Sequence, residues 1–324
     1  MKSTRAYAHT NIALIKYWGK LPGHLNLPAT GSLSLTLENF GTQTTLSFIE
    51  AAQDIFVLNN QEQTGEPLLR VQRFLDIVRA LGKSDRRCLV DSRNDVPTSS
   101  GLASSASGFA ALSLAANQHY ALNLNPVDLS QLARVGSGSA ARSIFGGFVY
   151  MHPGTPVDKT GGYAEALATD PALDIRLIVV QCANTCKEIS SRAGMLHTSN
   201  TSPYYPTWLA THAKDLEEAT RAAMQGDFKT LGELTEHSTL KMHACMLAAK
   251  PGFWYFEPLT IAVMNKVKAL RNDGVNCYFT MDAGPHVKVL CKAQHAEDIA
   301  KSFKKIKGIV RIDIAKPGPG AKLQ

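Results

Sequence analysis

The stretch Asp95-Val-Pro-Thr-Ser-Ser-Gly-Leu-Ala-Ser-Ser-Ala-Ser107 packs five serines and a threonine around Gly101. An apolar, alanine-rich run (Phe109, Ala110, Leu112, Leu114, Ala115) follows at once. The pattern predicts a small-residue loop feeding the N-terminus of a buried helix. Free backbone N–H groups, the positive end of the helix dipole and little side-chain bulk suit such a place to a polyphosphate. The loop lacks the Gly-Lys-Ser/Thr ending of a Walker A motif. Taken alone it also reads as a serine-capped helix start.

Three further segments carry candidate chemistry. Gly136-Ser-Gly-Ser-Ala-Ala-Arg-Ser143 combines hydroxyls and backbone N–H groups with an arginine, whose planar fork suits a carboxylate or phosphate. Phe279-Thr-Met-Asp-Ala-Gly-Pro285 puts one acid, Asp282, between an apolar strand and a tight turn. A general base would be held rigidly there, although an acid at such a place is also an ordinary turn residue. Glu188-Ile-Ser-Ser-Arg-Ala-Gly194 offers Ser190, Ser191 and Arg192 to phosphate, or simply caps a helix. At the N-terminus, His9-Thr-Asn-Ile-Ala-Leu-Ile-Lys-Tyr-Trp-Gly-Lys20 reads either as an amphipathic strand with an exposed end or as two lysines beside an anion, walled by Tyr17 and Trp18.

The elements that position these residues alternate between strand and helix. Ser32–Leu37 alternates with period two, and Thr44–Ile49 is expected to be its partner strand. Leu68, Val71, Leu75 and Val78 recur at helical spacing, with Gly82 as the stop. A helix should run from the serine loop to about Tyr120. Asn125-Pro126 is an N-cap followed by proline at the first helical position. Phe148–Met151 and Leu173–Cys182 read as strands. Helices are expected over 205–225, 227–248 and 257–272, then strand (276–281), strand (286–290), helix (296–306) and strand (309–314). That order suggests one sheet under helices in an α+β layer. The Gly/Pro-rich segment beginning at Lys316 reads as a frayed tail. The domain division is placed between 1–180 and 181–324.

With 44% hydrophobic and 19% charged residues, the 324-residue chain has the composition of a globular enzyme with a substantial core. Its net charge of +7 suits an anionic small substrate. The dispersed Lys and Arg do not argue for a nucleic-acid partner. The six cysteines form no Cys-x-x-Cys pair, and they read as reduced, packing thiols of a cytoplasmic protein. There is no His-Glu-x-x-His, and no apolar run of membrane-spanning length. No metal is expected to be held by the protein alone.

Four motifs in order now resemble a known family. Asn11–Lys20 is similar to the opening motif of the diphosphomevalonate decarboxylases, members of the GHMP kinase superfamily. Pro97–Ala106 resembles the superfamily's phosphate loop, with Ala103 where its kinases usually carry glycine. Gly136–Ser143 and Met281–Pro285 are also similar to the decarboxylase pattern. Ser99-Ser100 and Thr30-Gly31 depart from it, where the family often has Ala-Ala and Asn-Ser.

The resemblance implies an α+β fold of two domains, the α/β two-domain GHMP kinase fold. Its parts are an N-terminal ribosomal-protein-S5-domain-2-like domain and a C-terminal ferredoxin-like domain, with the active site in the cleft between them. It implies ATP-dependent decarboxylation of mevalonate 5-diphosphate to isopentenyl diphosphate, with ATP and Mg²⁺ as cofactors and a cytoplasmic homodimer as the assembly. By the same resemblance Asp282, Lys16 and Arg142 are catalytic. Tyr17, Trp18, Gly19, Lys20, Arg70, Ser137, Gly138, Ser139, Ala140, Ala141, Arg142, Ser191 and Arg192 bind the substrate. Pro97, Ser99, Ser100, Gly101, Leu102, Ala103, Ser104, Ser105 and Ser107 bind ATP, with Mg²⁺ near Ser105. The alternatives are a decarboxylase of the 5-monophosphate, a C3 kinase, an ordinary kinase of the superfamily and a non-catalytic nucleotide-binding protein.

Overall fold

The computed structural model describes residues 3–23, 25–95, 104–155, 161–183 and 188–324, without the Ser104 side chain. In chain order its first elements are β1 (Ser3–Ile15), β2 (Ser32–Ile49), β3 (Ile55–Leu58), β4 (Gln61–Glu62), α1 (Glu66–Gly82), β5 (Arg87–Asn94), α2 (Ser104–His119) and α3 (Pro126–Gly136). A 3-10 turn over Gly138–Ile144 follows, then β6 (Phe148–Met151), β7 (Ala164–Ala166) and β8 (Ile175–Gln181). Four helices come next: α4 (Ser191–Thr201), α5 (Tyr205–Met224), α6 (Phe228–Leu247) and α7 (Pro258–Asn272). The chain closes with β9 (Cys277–Met281), β10 (Val287–Lys292), α8 (Ala296–Phe303), β11 (Arg311–Ala315) and β12 (Lys322–Leu323).

The first sheet has eight strands in the order β12-β1-β2-β5-β3-β4, with β6 added to β2 and β7 to β6. Among the described strands of this sheet, only β3 and β5 run parallel. One expectation fails here. Ser32–Leu37 and Thr44–Ile49 are not partners but the two ends of a single strand. Asn39 adopts φ 70°, a left-handed conformation that asparagine tolerates, and lets the strand bend without stopping. The first end of β2 pairs with β6 and the second with β5, while β1 follows both ends with a register shift between His9 and Asn11. The bent strand thus has room for two different neighbours on one side.

Helix α2 is expected from the alanine run and lies against the back of β1 and β2. Ala106, Ala110, Ala111, Ala115 and Ala116 are fully buried there, and their small side chains allow the helix to approach the sheet closely. Val71, Phe74, Leu75 and Val78 of α1 close the same core. Helix α1 is capped by Lys83 at φ 48° rather than by Gly82, which lies 3.1 Å (as a built Cβ) from the Tyr120 ring. Asn125 accepts the Asp128 N–H at 3.0 Å and starts α3 as its sequence predicts.

The second sheet has four antiparallel strands in the order β11-β8-β10-β9. In chain order these strands are first, second, third and fourth, so the sheet reads 4-1-3-2 with helices inserted after the first strand and one helix before the last. That is the ferredoxin-like arrangement. Strand β8 pairs within this sheet. Its alternate residues face two different layers. Ile178 and Val180 pack with Val263, Val267, Ile299 and Phe303 from α7 and α8. Leu177 and Val179 pack with Leu216 and Leu231 of α5 and α6, and with Ile12, Leu14, Leu33 and Leu35 of the first sheet. The two sheets therefore share one apolar layer.

The C-terminal segment is a strap, not a frayed tail. Glu38 N–H donates to the Lys316 carbonyl at 2.9 Å, Gly318 N–H to Thr36 at 2.8 Å, and Gly147 N–H to Gly318 at 2.9 Å. Lys322 and Leu323 then pair with Tyr7 and Ala6 of β1. The glycines are needed for steric reasons, because a Cβ on Gly318 would lie 2.4 Å from the Glu38 nitrogen. No described helix is long and apolar enough to cross a membrane. A Gly318→Val variant should lose about 1–3 kcal/mol of stability through this overlap. Chemical denaturation would show it, and an unchanged midpoint would mean that the strap does not support the sheet.

Candidate active site

Between the two sheets lies a cleft of ≈ 450 Å³. Its walls come from the end of β1, from α1, from the 3-10 turn after α3, from the start of α4, and from the turn after β9. Of the residues predicted for the site, Lys16, Tyr17, Trp18, Lys20, Arg70, Ser105, Ser137, Gly138, Ser139, Arg142, Ser191, Arg192 and Asp282 line it.

Asp282 follows β9 directly, and its carboxylate is about one-third exposed to the cleft (35%). Lys16 reaches it from β1, with Nζ 2.7 Å from Oδ1. Lys16 is fully buried. Its ammonium also donates to the Ala13 carbonyl at 2.8 Å, and its backbone N–H donates to Ser238 Oγ on α6 at 2.9 Å. A second lysine, Lys288 of β10, stands 3.2 Å from Oδ2. Burial by itself would raise the Asp282 carboxyl, but the two ammonium groups outweigh it and hold the carboxyl well below the usual carboxylate range. The balance for Lys16 is opposite. Burial outweighs the pull of Asp282 and lowers its ammonium to about 8, with Lys288 and Arg142 adding repulsion.

Arg142 is buried on the 3-10 turn. Its Nε donates to Asn11 Oδ1 at 2.9 Å and its Nη1 to Ser32 Oγ at 3.0 Å. Asn11 is locked in turn, because its Nδ2 donates to the Ser139 carbonyl at 3.0 Å and to Ser143 Oγ at 2.7 Å. Among the described residues no carboxylate lies within ion-pair distance of Arg142. Burial lowers its guanidinium to about 10. It therefore sits as a buried cation bonded to neutral oxygens, which leaves charge free to meet an anion.

A second group of cations shares the cleft. Burial first, then the repulsion of Arg192 and Arg70, lowers the Lys20 ammonium to about 8. Its Nζ is held by Asn26 Oδ1 at 2.6 Å. Arg70 donates from Nε and Nη2 to the Gly136 carbonyl at 3.0 and 2.8 Å and lies over the Phe109 ring at 4.7 Å. Burial, with Arg192 adding to it, lowers Arg70 to about 10. Ser190 caps α4 by accepting the Ala193 N–H at 3.2 Å, which brings Ser191 and Arg192 to the cleft. Tyr17 senses both cation groups. Its ring lies under Arg142, its hydroxyl is buried without a hydrogen-bond partner among the described residues, and a Cβ on Gly138 would lie 2.4 Å from that hydroxyl.

Four predicted residues do not line the cleft. Gly19 is at φ 110°, and a Cβ there would overlap the Tyr205 hydroxyl, so this glycine serves the packing of the Trp18-Gly19 turn on α5. Ala140 and Ala141 face the core, and Ser107 is bonded to Thr42 Oγ1 at 2.7 Å. Pro97, Ser99, Ser100, Gly101, Leu102 and Ala103, and the side chain of Ser104, lie outside the described residues. Asn11 and Lys288 were not among the predicted site residues. A polar side chain within an otherwise apolar strand was the available signal for both: Asn11 before Ile12-Ala13-Leu14, and Lys288 between Val287 and Val289. No cluster of three or more metal-ligating side chains occurs among the described residues.

The lowered lysines set a pH prediction. Both are charged below about 8 and neutral above it, so as pH rises an anionic substrate loses Lys20 and Asp282 loses the charge of Lys16. kcat/KM should fall on a basic limb near that pH, since this quantity reports the free enzyme. A profile that stays flat to pH 9.5 would remove Lys20 from substrate capture and show that the charge on Lys16 is not needed.

The chain is similar to known proteins along nearly its whole length. The profile described as diphosphomevalonate decarboxylase-like N-terminal domain matches residues 8–163, and that of the mevalonate 5-diphosphate decarboxylase C-terminal domain matches residues 176–313. A diphosphomevalonate decarboxylase of Aspergillus fumigatus is 34% identical over 93% of this chain and 80% of its own length. A phosphomevalonate decarboxylase of Haloferax volcanii is 32% identical over 93% of this chain and 92% of its own. The crystal structure of mevalonate diphosphate decarboxylase from Staphylococcus aureus superposes with a TM-score of 0.94 at 42% identity, covering 100% of this chain and 98% of that one. A structure in complex with MVAPP, AMPPCP and magnesium gives 0.93 at 42% identity, covering 99% and 98%. With both halves matched in order and the fold shared along its whole length, the chain belongs to the diphosphomevalonate decarboxylase family.

Proposed function

We propose that the cleft catalyses ATP-dependent decarboxylation of mevalonate 5-diphosphate to isopentenyl diphosphate, ADP, phosphate and CO₂. One observation carries this reading. A single cleft presents a lysine-held carboxylate beside an unpaired buried arginine, and a separate group of three cations. A substrate with a carboxylate and a hydroxyl at one end and a diphosphate at the other matches both groups.

The tertiary C3 hydroxyl is a poor leaving group, and phosphorylation makes it a good one. Asp282 accepts the hydroxyl proton as the C3 oxygen bonds to the γ-phosphorus of ATP and ADP leaves. The C3–O bond then breaks with the phosphate. The electron pair of the carboxylate C–C bond forms the new double bond, and CO₂ departs. Arg142 holds the carboxylate before that step, and the Asp282 charge favours the positive centre that develops at C3. Lys20, Arg70, Ser191 and Arg192 bind the diphosphate, with Ser137, Ser139 and Tyr17 along the middle of the substrate. Trp18 walls the cleft beside them.

ATP would enter past Ser105, at the start of α2. A neighbouring apolar slot of ≈ 170 Å³, lined by Phe56, Val71, Val90 and Phe109, shares Ser105 and Arg70 with the cleft and suits a nucleobase. The Ser105 and Ser137 hydroxyls lie 3.3 Å apart, a hard-oxygen donor set that fits Mg²⁺ carried mainly by phosphates and water. Ser105 would hold that ion, which neutralises phosphate charge when bound. The enzyme acts as a homodimer in the cytoplasm.

The Haloferax volcanii relative raises a second reading, with the 5-monophosphate as substrate. The three cations of the second group favour two phosphates over one. ADP and CO₂ release should be assayed together on each substrate. Equal release from the diphosphate, at a rate well above the monophosphate, is expected, and the reverse order would transfer the assignment. Asp282→Asn should lower kcat by about 10²- to 10⁴-fold while the substrate still binds. Arg142→Lys should lower kcat/KM by roughly 100-fold. Near-normal turnover in either variant would take that residue out of its role.

A further inference from the structure

Lys288 stands where the fold asks for an apolar residue. Along β10, Val287, Val289 and Cys291 face the α7–α8 layer, while Lys288 and Leu290 face the opposite layer shared with α6 and the first sheet. Leu290 is fully buried there, and so is Lys288 (2%). A buried ammonium gives up its hydration and needs partners to offset that loss. The only anion within ion-pair distance of Lys288 among the described residues is Asp282, and its ammonium also donates to the His286 carbonyl at 3.5 Å. Lys16 already supplies an ammonium to Asp282 at the shorter distance of 2.7 Å, from the other sheet. A second buried lysine on one carboxylate is more than neutralisation of Asp282 requires.

The geometry points to Lys288 as a positioning residue for the proposed decarboxylation: by holding Oδ2 while Lys16 holds Oδ1, it fixes the carboxylate plane of Asp282 so that its remaining lone pairs face the C3 hydroxyl. This rests on the substrate reading given above. A carboxylate has about four lone-pair directions. Two ammonium groups, one at each oxygen, use two of them and prevent rotation about the Cβ–Cγ bond. The others face the cleft, where about one-third of the side chain is exposed. The groups that face Asp282 come from four elements: Lys16 from β1, Lys288 from β10, Arg142 from the 3-10 turn and His243 from α6. Burial, with Lys16 adding repulsion, lowers His243 to about 3, so it is neutral over the working range. Lys16 and Arg142 would therefore remain as the cations about Asp282 once Lys288 is removed.

Two variants test this. Lys288→Met removes charge and donor, and Lys288→Gln keeps a donor without charge. In Lys288→Met, kcat should fall up to about 100-fold, with KM for ATP within twofold of wild type. The acid limb of kcat/KM should move up by about one pH unit or more. Lys288→Gln should show the same move of the limb with a smaller loss of kcat. In an Asp282→Asn background, Lys288→Met should add no further loss, because both act through one group. Wild-type kcat with an unmoved acid limb would overturn the inference, as would an additive loss in that background or failure of both variants to fold. If the wild type itself releases no CO₂ from mevalonate 5-diphosphate, the substrate reading is at fault. In that event a ¹³C titration of the Asp282 carboxyl, compared between wild type and Lys288→Gln without substrate, still tests the role of Lys288: a titration displaced upward supports it, and coincident titrations overturn it.

Discussion

Asp282 shared between Lys16 and Lys288 joins the two sheets of this molecule by charge. Lys16 comes from the first sheet, Lys288 and Asp282 from the second, and all three meet at the edge of the apolar layer that both sheets bury. Arg142 adds a third buried cation nearby. Three cations against one anion in a water-poor place is unfavourable until another anion arrives. The folded chain tolerates this because Ile12, Leu14, Leu33, Leu35, Leu177, Leu216 and Leu231 form the apolar layer between the sheets, whose burial offsets the desolvation. The excess positive charge is therefore set in place before any substrate binds, and no reorganisation is needed when an anion enters.

The small residues of the 3-10 turn serve the same end. Gly138 leaves room for the Tyr17 hydroxyl, and the Ser139 carbonyl receives the Asn11 amide that also holds Arg142. A larger residue at 138 would displace Tyr17 and loosen the site. Gly19 has a matching role on the other side, where Tyr205 of α5 occupies the space of a Cβ. The aromatic residues after Lys16 are thus held between the two halves, with the Trp18 carbonyl accepting the Trp208 indole N–H at 3.0 Å. The backbone that carries Lys16, Tyr17 and Lys20 is fixed by neighbours distant in the chain.

The strap of residues 316–323 extends this rigidity to the far side of the first sheet. It joins β1, β2 and the segment after the 3-10 turn by backbone hydrogen bonds. These are the elements from which Lys16, Asn11, Ser32 and Arg142 project. The chain end therefore supports the frame of the site without touching the cleft.

Much was legible in the sequence because local patterns carry it. The alanine run required a closely packed helix, Asn125-Pro126 started α3, and the helices and strands after residue 205 followed from apolar periodicity. Lys16, Arg142 and Asp282 were identified in motifs whose residue types suit anion binding and proton transfer. Other features depended on contacts between distant segments. Thr44–Ile49 was expected to be a partner strand, because alternation alone does not distinguish two strands from one that bends at Asn39. The Gly/Pro-rich end was expected to fray, because the carbonyls and N–H groups that hold it come from residues 36–38 and 144–147. Lys288 is not among the predicted site residues, and a lysine in a strand is ordinarily solvated. Its burial follows only once β10 lies between β8 and β9 in the second sheet. The sequence determined the kinds of chemistry available, since those reside in residue type and local spacing. The tertiary structure alone decided which charges meet at Asp282 and which are left for a substrate, since burial and pairing arise between segments more than 200 residues apart (Lys16 and Asp282, |i−j| = 266).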